Sequence, residues 1–138
     1  MAFELPIRIY WEDTDAGGIV FYANYLKFFE RARTEWLRSH GLSQQALREQ
    51  TGGIFVVTEA RLRYLQPARL DDLLLVTACL TEKGRASMTI AQQALRRPEH
   101  MPSAAPTLLS EATVRIGFVD AATLRPARIP NDLLELLS

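Results

Sequence analysis

The feature that most constrains the fold is an amphipathic segment with an aromatic face, which starts near Asn24. Its apolar side chains recur at intervals of three and four residues: Tyr25, Phe28, Phe29, Ala32 and Trp36. This is the period of one face of an α-helix, and charged residues fill most of the remaining positions. Gly41 stands where the end of a helix favours a left-handed residue. The pattern therefore predicts a helix that begins between Tyr22 and Tyr25 and ends at Gly41.

After Gly52 the period of the apolar residues changes to the two-residue period of a β-strand. The alternation is clearest in 54–65, where charged residues separate Ala60, Leu62 and Tyr64, as in a strand with one solvated face. Further strands are predicted by β-rich or alternating runs at 5–11, 73–81, 86–95 and 111–119.

The order is thus a strand, one long helix and four strands, followed by a short helix at 131–137 that Asn131 caps. Residues 42–51 can extend the main helix or follow it, and the pattern leaves both open. Strands joined by short connections pair antiparallel, and the aromatic face of a single helix has only the sheet to bury it. We therefore predict an α+β fold in one domain, 1–138, with the helix held in a curved antiparallel sheet. Because the helix covers one face only, an edge strand is open to association.

Composition and charge argue against several classes of protein. Sixteen basic residues balance sixteen acidic ones, so no excess charge favours nucleic acid or an anionic membrane as a partner. The first residues lack the basic start and apolar core of a signal peptide, and no apolar run approaches the roughly 20 residues of a membrane span. Cys79 is the only cysteine and lies in an apolar run. We expect a buried thiol, no internal disulfide and a cytoplasmic location.

The motifs of several enzyme classes are missing. Only two histidines are present, His40 at a helix end and His100 in a proline-rich stretch, which argues against a histidine metal site or a Ser–His–Asp triad. Neither Gly17–Gly18 nor Gly52–Gly53 belongs to a nucleotide-binding glycine motif. We therefore expect no metal and no cofactor.

One candidate site remains, directly before the long helix. The first N–H groups of a helix carry partial positive charge and can stabilise the oxyanion of an attacked carbonyl. Gly17 and Gly18 permit a close approach of the backbone, and Glu12, Asp13 or Asp15 can supply a carboxylate as base or nucleophile. This combination suits acyl transfer.

A structural role fits the same residues. Asp13, Thr14 and Asp15 can satisfy the amides of a turn, and Asn24 can cap the helix, which is worth about 1 kcal/mol. A well-placed oxyanion donor is worth roughly a hundredfold in rate. Spacing alone leaves both roles open.

A resemblance to a known family adds to these observations. The stretch YWEDTDAGGIVFYANYLKFFERARTEWL, residues 10–37, resembles the signature of the 4-hydroxybenzoyl-CoA thioesterase family of hotdog-fold proteins. It is most similar to the branch of small bacterial acyl-CoA thioesterases associated with the Tol–Pal system. The stretch VTEARLRYLQPARLDD, residues 57–72, resembles the second strand of the family and its Pro-Ala turn. The resemblance implies a curved five-stranded antiparallel sheet wrapped around one long central helix.

The resemblance also implies roles for residues of the first motif. Asp15 is the catalytic carboxylate, and the backbone N–H of Tyr22 is the oxyanion donor, with the turn at Gly17 and Gly18 shaping its approach. Asn24 is a cap or a positioning residue. Many members of the Tol–Pal branch have His where this chain has Tyr22, whereas the 4-hydroxybenzoyl-CoA type has Tyr, so no imidazole is available at this position.

For partners, the resemblance implies a homodimer or homotetramer in which sheets join edge to edge, with the CoA chain entering along the seam. Basic side chains are expected to meet the CoA phosphates in charge-assisted pairs. The candidates are Arg61, Arg63, Lys83, Arg85 and Arg128. For any single one of them, a solvated strand face is the alternative role.

The predicted function is that of an acyl-CoA thioesterase, which hydrolyses a small acyl-CoA, short-chain aliphatic or aromatic, to a carboxylic acid and CoA. Asp15 attacks the carbonyl to give a mixed anhydride, or it activates a water. A hotdog dehydratase is a weaker alternative, because that chemistry usually involves a histidine at the site. The other alternative is a non-hydrolytic module of the same fold that binds acyl-CoA or an acyl-carrier protein, or serves as an interaction partner.

Overall fold

The order of the elements along the chain follows the predicted order. The structure, a computed structural model, describes residues 2–101 and 103–138. Its strands are β1 (Phe3–Arg8), β2 (Gly53–Tyr64), β3 (Leu73–Lys83), β4 (Ser87–Arg96) and β5 (Thr107–Asp120). Its helices are α1 (Asn24–Ser39), α2 (Gln44–Thr51) and α3 (Asn131–Leu137), and a 3₁₀ turn spans Trp11–Asp13.

All five strands belong to one antiparallel sheet with the order β1-β3-β4-β5-β2. The strands β3, β4 and β5 pair in chain order, with residues 84–86 connecting β3 to β4 and residues 97–106 connecting β4 to β5. In contrast, β2 pairs with β5, so β1 and β2 form the two edges. Irregularities interrupt the β2–β5 register between Val57 and Glu59 and the β3–β4 register between Leu80 and Glu82. Such bulges bend strands and increase their twist, which allows the sheet to curve around α1.

The aromatic face of α1 is buried against the sheet, as predicted. Phe28, Phe29 and Ala32 are almost fully buried, and they join one core cluster with Leu74 of β3 and Ile90 of β4. Burial of one such large side chain contributes about 1.5–3 kcal/mol, so this face supplies much of the free energy that holds the helix against the sheet. The helix is followed by Gly41 with a φ of 79°, the left-handed residue that the sequence predicted.

A buried polar side chain also ties α1 to the sheet. The amide nitrogen of Gln92 on β4 donates to the carbonyl oxygens of Phe29 (3.0 Å) and Thr77 (3.1 Å). The Gln92 Oε1 atom accepts from Arg33 on α1 at 2.9 Å. Burial lowers the pKa of the Arg33 guanidinium from its ordinary value. Because these bonds have a fixed geometry, they set the position of α1 along the sheet more strictly than apolar contact does.

Two predicted details of the fold are wrong. Cys79 is exposed, because the alternation along β3 buries Ala78 against α1 and turns Cys79 to the opposite face. Asn131 does not cap α3, since the helix begins at Asn131 itself, after Pro130, without a side-chain cap. The undecided stretch 42–51 contains a separate helix, α2, whose start is capped by the Ser43 hydroxyl accepting from the amide of Ala46 at 3.0 Å.

The second half of β2 departs from the expected pattern of one buried and one solvated face. Ala60 and Tyr64, which alternate with charged residues, are exposed as well. The reason is that α1 packs mainly on β1, β3 and β4 and covers this edge strand only in part: the Tyr64 ring lies 5.5 Å from the Tyr25 ring of α1, and Leu62 packs against the core. Within the described residues the apolar side chains of this edge are therefore only partly covered, and Ala60 and Tyr64 remain exposed. Among the residues described, no helix is long and apolar enough to cross a membrane.

Candidate active site

The loop before α1 is anchored at Asp13, the last residue of the 3₁₀ turn. Its carboxylate Oδ2 accepts a hydrogen bond from the backbone N–H of Tyr10 at 2.8 Å. Its carbonyl oxygen accepts from the backbone N–H of Phe21 (3.1 Å) and from the side chain of Asn24 (2.8 Å). Asp13 thus closes the loop on itself, and its carboxylate is engaged in holding the turn.

Asp15 lies at the exposed tip of the same loop. Its Oδ1 atom accepts from the backbone N–H of Gly17 at 2.8 Å, and its carbonyl accepts from Gly18 at 3.1 Å. Gly18 has a φ of 78°, and a side chain at Gly17 would lie 3.2 Å from Asp15 Oδ1, so both glycines suit the turn. Within the described part of the chain no donor reaches Oδ2. One carboxylate oxygen is therefore fixed while the other is open to a reacting group.

The start of α1 has no side-chain cap. The helix begins at Asn24, and Ala23 occupies the capping position. The prediction that Asn24 caps the helix is wrong, because its side chain donates to Asp13 instead. The remaining predicted role, as a positioning residue, agrees with this bond, since it joins the helix start to the loop.

The missing cap leaves backbone donors free. In residues 2–101 and 103–138, the N–H groups of Tyr22 and Ala23 donate to no protein acceptor, whereas those of Phe21 and Asn24 do. Tyr22 is exposed. Free amides at the positive end of a helix attract a developing negative charge.

An aromatic cluster surrounds this helix start. The rings of Tyr22 and Tyr64 lie 6.2 Å apart, those of Tyr25 and Tyr64 5.5 Å apart, and those of Phe21 and Tyr22 4.9 Å apart. The Tyr64 hydroxyl donates to the carbonyl oxygen of Tyr22 at 3.0 Å. Burial raises the pKa of Tyr64 and of Tyr25 above the ordinary value, so both hydroxyls remain protonated at neutral pH.

Sequence reasoning missed Tyr64 as part of this region. Its position at the end of an alternating strand indicated only an apolar face. The contact depends on the pairing of β2 with β5, which brings a residue 42 positions along the chain onto the Tyr22 carbonyl. No short motif carries that information.

The segment after β2 supports the loop from the other side. The backbone N–H of Val20 donates to the carbonyl of Ala68 at 2.9 Å, and Ile19 forms a bridge with Arg69. The Tyr25 hydroxyl accepts from the N–H of Ala68 at 3.1 Å. The two stretches that carry the family resemblance are therefore in contact at the candidate site.

The five basic residues predicted to bind CoA phosphates do not form one cluster. Arg61 pairs with Glu59 at 3.0 Å, and Arg63 pairs with Glu111 at 2.8 Å. Arg61 and Lys83 line a depression of about 640 Å³ on the sheet face opposite α1, but Glu59 shares it. Neither Asp15 nor Tyr22 lines this depression.

Arg85 lies elsewhere, in the turn between β3 and β4. Its carbonyl accepts from the N–H of Ile129 at 2.7 Å, which places the exposed side chains of Arg85 and Arg128 on neighbouring segments. The Lys83 ammonium group donates to the Ser138 hydroxyl. In the described residues Lys83, Arg85 and Arg128 have no carboxylate within ion-pair distance.

Comparison with known proteins identifies the family. The model of the thioesterase-like superfamily matches residues 9–137. The chain belongs to the thioesterase-like superfamily. An acyl-CoA thioesterase YbgC of Haemophilus influenzae is 40% identical to this superfamily member over 131 residues, which are 95% of this chain and 90% of the relative. An acyl-CoA thioester hydrolase YbgC of Escherichia coli O6:H1 is 41% identical over 132 residues, 96% of this chain and 92% of the relative.

A solved structure confirms the hotdog arrangement. A 4-hydroxybenzoyl-CoA thioesterase variant in complex with 4-hydroxybenzoyl-CoA superposes with a TM-score of 0.90 over 99% of both chains, at 24% identity. The predicted family and the curved antiparallel sheet around a central helix are thus confirmed. The association with the Tol–Pal system and the cytoplasmic location stay predictions.

Proposed function

We propose that this chain is an acyl-CoA thioesterase that hydrolyses small acyl-CoA thioesters, short-chain aliphatic or aromatic, to the carboxylic acid and CoA. Two relatives about 40% identical over nearly the whole chain carry the names acyl-CoA thioesterase and acyl-CoA thioester hydrolase. Small acyl groups are proposed because Phe21, Tyr22 and Tyr25 crowd the helix start.

The observation that carries the mechanism is that one loop holds two groups free to bind a substrate, a carboxylate oxygen and a backbone N–H. Asp15 has one carboxylate oxygen held by Gly17 and the other open, and the Tyr22 amide has no protein acceptor in the described residues. The Asp13 carbonyl accepts from Phe21 and Asn24, which braces the stretch between them. A carboxylate and a backbone donor held by the same loop support the proposal, because acyl transfer requires both groups in a fixed geometry.

Two routes lead from this geometry to the same products. In the first, Asp15 Oδ2 attacks the thioester carbon, the C–S bond breaks, CoA thiolate leaves, and water hydrolyses the mixed anhydride. In the second, Asp15 takes a proton from water, the hydroxide attacks the carbonyl, and the tetrahedral intermediate expels the thiolate. In both routes the Tyr22 N–H donates to the carbonyl oxygen as it gains negative charge, while Gly18 keeps the turn open and Asn24 holds the helix start to the loop.

The proposed assembly is a homo-oligomer built on a homodimer joined through β2, with the site at the seam. The strand β2 is an edge of the sheet, and its second half is exposed on both faces. Val57 and Tyr64 are about half exposed, and the Tyr64 ring lies 6.2 Å from the exposed ring of Tyr22. Pairing with β2 of a second copy would satisfy the open edge and cover these side chains.

We propose that Lys83 and Arg85 are better candidates for binding the CoA phosphates than Arg61 and Arg63. The first two have no carboxylate partner in the described residues, whereas Glu59 and Glu111 already hold the other two. Arg128 on the neighbouring segment adds a third unpaired cation beside Arg85. An acyl-carrier protein would present the same thioester on a similar arm, so acyl-carrier thioesters belong in the substrate panel.

The test is release of free thiol from short-chain, long-chain and aromatic acyl-CoAs, in a Cys79→Ser background because Cys79 is exposed. Asp15→Asn preserves the shape of the side chain, and we expect it to lower kcat/KM about a hundredfold or more while the protein stays folded. Glu12→Gln is the matched control, since Glu12 is an exposed acid of the same loop. We expect it to retain the activity of the parent protein.

The possible results separate the candidate functions. Equal turnover by Asp15→Asn and the parent protein would show that this carboxylate is not used. If neither protein hydrolyses any thioester while both bind CoA, the chain is a binding module of the same fold.

A further inference from the structure

Among the residues described, one side chain bonds to the carbonyl group of Tyr22, the residue whose N–H is the proposed oxyanion donor. That side chain is Tyr64. Its hydroxyl lies 3.0 Å from the carbonyl oxygen of Tyr22. The N–H and C=O groups of Tyr22 flank a single α-carbon, so a bond that fixes the carbonyl also restricts the direction of the N–H group. The helix start has no side-chain cap, and no other side chain of residues 2–101 and 103–138 bonds to the Tyr22 carbonyl.

The position of Tyr64 is itself well determined. It is the last residue of β2 and pairs in register with Ser110 of β5, whose buried hydroxyl donates to the Arg63 carbonyl at 2.8 Å. Its ring contacts the rings of Tyr22 and Tyr25 edge to face. Such aromatic pairs prefer defined geometries, so the hydroxyl is held in place by both the sheet and the cluster.

Two roles for this hydroxyl have different consequences. If it only stabilises the fold, its loss should act like the loss of any half-exposed hydrogen bond. If it orients the Tyr22 amide, its loss should affect the step in which negative charge develops on the carbonyl oxygen, and not the binding of substrate.

We propose that Tyr64 is a positioning residue for the thioesterase reaction. By holding the carbonyl group of Tyr22, it directs the free N–H group of the same residue at the oxyanion. The inference rests on the proposed function, and it adds a residue from β2 to a site otherwise built from the loop before α1. The residue acts through Tyr22 and does not touch the reacting atoms.

The experiment compares three Tyr→Phe variants, each of which removes one hydroxyl and keeps the ring. Tyr64→Phe removes the bond to Tyr22. Tyr25→Phe removes the acceptor of the buried Ala68 amide, and thus a stabilising bond in the same cluster. Tyr10→Phe changes an exposed tyrosine whose hydroxyl has no partner among the described residues. For each variant, kcat and KM are measured on the best substrate, together with the melting temperature and the amide nitrogen chemical shift of Ala23, which reports hydrogen bonding at the preceding carbonyl.

For Tyr64→Phe we expect kcat to fall about fivefold to tenfold, less than the loss of a whole oxyanion donor, with KM nearly unchanged. Its melting temperature should fall less than that of Tyr25→Phe, and the Ala23 shift should move. Tyr10→Phe should match the parent protein in every measurement.

Several results would overturn the inference. Tyr64→Phe with full kcat, or with an unmoved Ala23 shift, would show that the hydroxyl does not set the amide. A loss of kcat that only follows the loss of melting temperature, as in Tyr25→Phe, would show a structural role, and an effect confined to KM would place the hydroxyl on the substrate. If the parent protein hydrolyses no thioester, the proposed function fails and this inference with it. If the parent protein is active and Tyr64→Phe is equally active, this inference fails and the proposed function stands.

Discussion

At the scale of single residues, two aspartates of one loop differ in how their carboxylates are bonded. The Asp13 carboxylate is occupied by the N–H of Tyr10, and its carbonyl holds both Phe21 and Asn24. The Asp15 carboxylate keeps one oxygen open at the exposed tip. Of two identical side chains two positions apart, one is therefore bonded within the loop, and the other, the proposed reactive group, keeps an oxygen that no donor reaches among the described residues.

This division predicts that Asp13→Ala and Asp15→Asn fail in different measurements. Loss of the Asp13 carboxylate leaves the Tyr10 amide without its acceptor, which should lower the free energy of unfolding by about 1 kcal/mol. The loop carbonyl remains, so kcat should stay within about tenfold of the parent value. Urea unfolding and thiol release measure the two effects. A loss of kcat in Asp13→Ala as large as that in Asp15→Asn would contradict the division.

Much of the candidate site lies in residues close together in sequence, which is why it could be proposed from the sequence. Asp15, the glycine turn and the Tyr22 amide lie in one stretch, where local chemistry and a specific motif both apply. The sequence predicts Asn24 as a cap or a positioning residue, since Asn is a strong capping residue, and in the structure its side chain bonds to a carbonyl of the loop instead of capping the helix. Tyr64 could not be found, because only the strand pairing brings it to the site.

At the scale of elements, the position of α1 depends on one buried amide. Gln92 bonds to Phe29 and Arg33 of α1 and to the carbonyl of Thr77 in β3. The helix was predictable because its aromatic period is regular over its whole length. This polar tie was not, since a glutamine in an alternating strand carries no sign of a partner on a helix.

Gln92→Leu should therefore be strongly destabilising although it keeps roughly the same volume. It leaves the Thr77 carbonyl and the half-buried Arg33 without partners, and we expect a loss of about 2–3 kcal/mol in the free energy of unfolding. Gln93→Leu is the matched control, because Gln93 is exposed and should change stability by less than about 0.5 kcal/mol. Denaturant unfolding of both variants tests this. Similar losses in the two would show that the buried amide has no special part in fixing α1.

At the scale of the whole molecule, the strand order explains why the apolar face predicted for β2 is only partly buried within a single chain. The pattern in β2 predicted a buried apolar face, and the local pattern is real. Because β2 lies at the sheet edge and α1 packs mainly on β1, β3 and β4, that face is only partly covered within one chain. Which strands become edges depends on long-range pairing, for which no local signal exists, so the pattern pointed to a surface that a second copy can cover.

The proposed dimer gives the final prediction. Val57, 51% exposed on β2, and Leu136, 47% exposed on α3, are apolar side chains of similar exposure in different places. Val57→Asp puts a charge at the proposed seam and should convert the dimer into a monomer, as judged by sedimentation equilibrium, since burying an unpaired charge in an interface is strongly unfavourable. Because the site is proposed to lie at the seam, kcat/KM should fall with the dimer fraction. Leu136→Asp should leave both unchanged. A Val57→Asp protein that keeps the parent mass and the parent activity would place the interface elsewhere on the molecule.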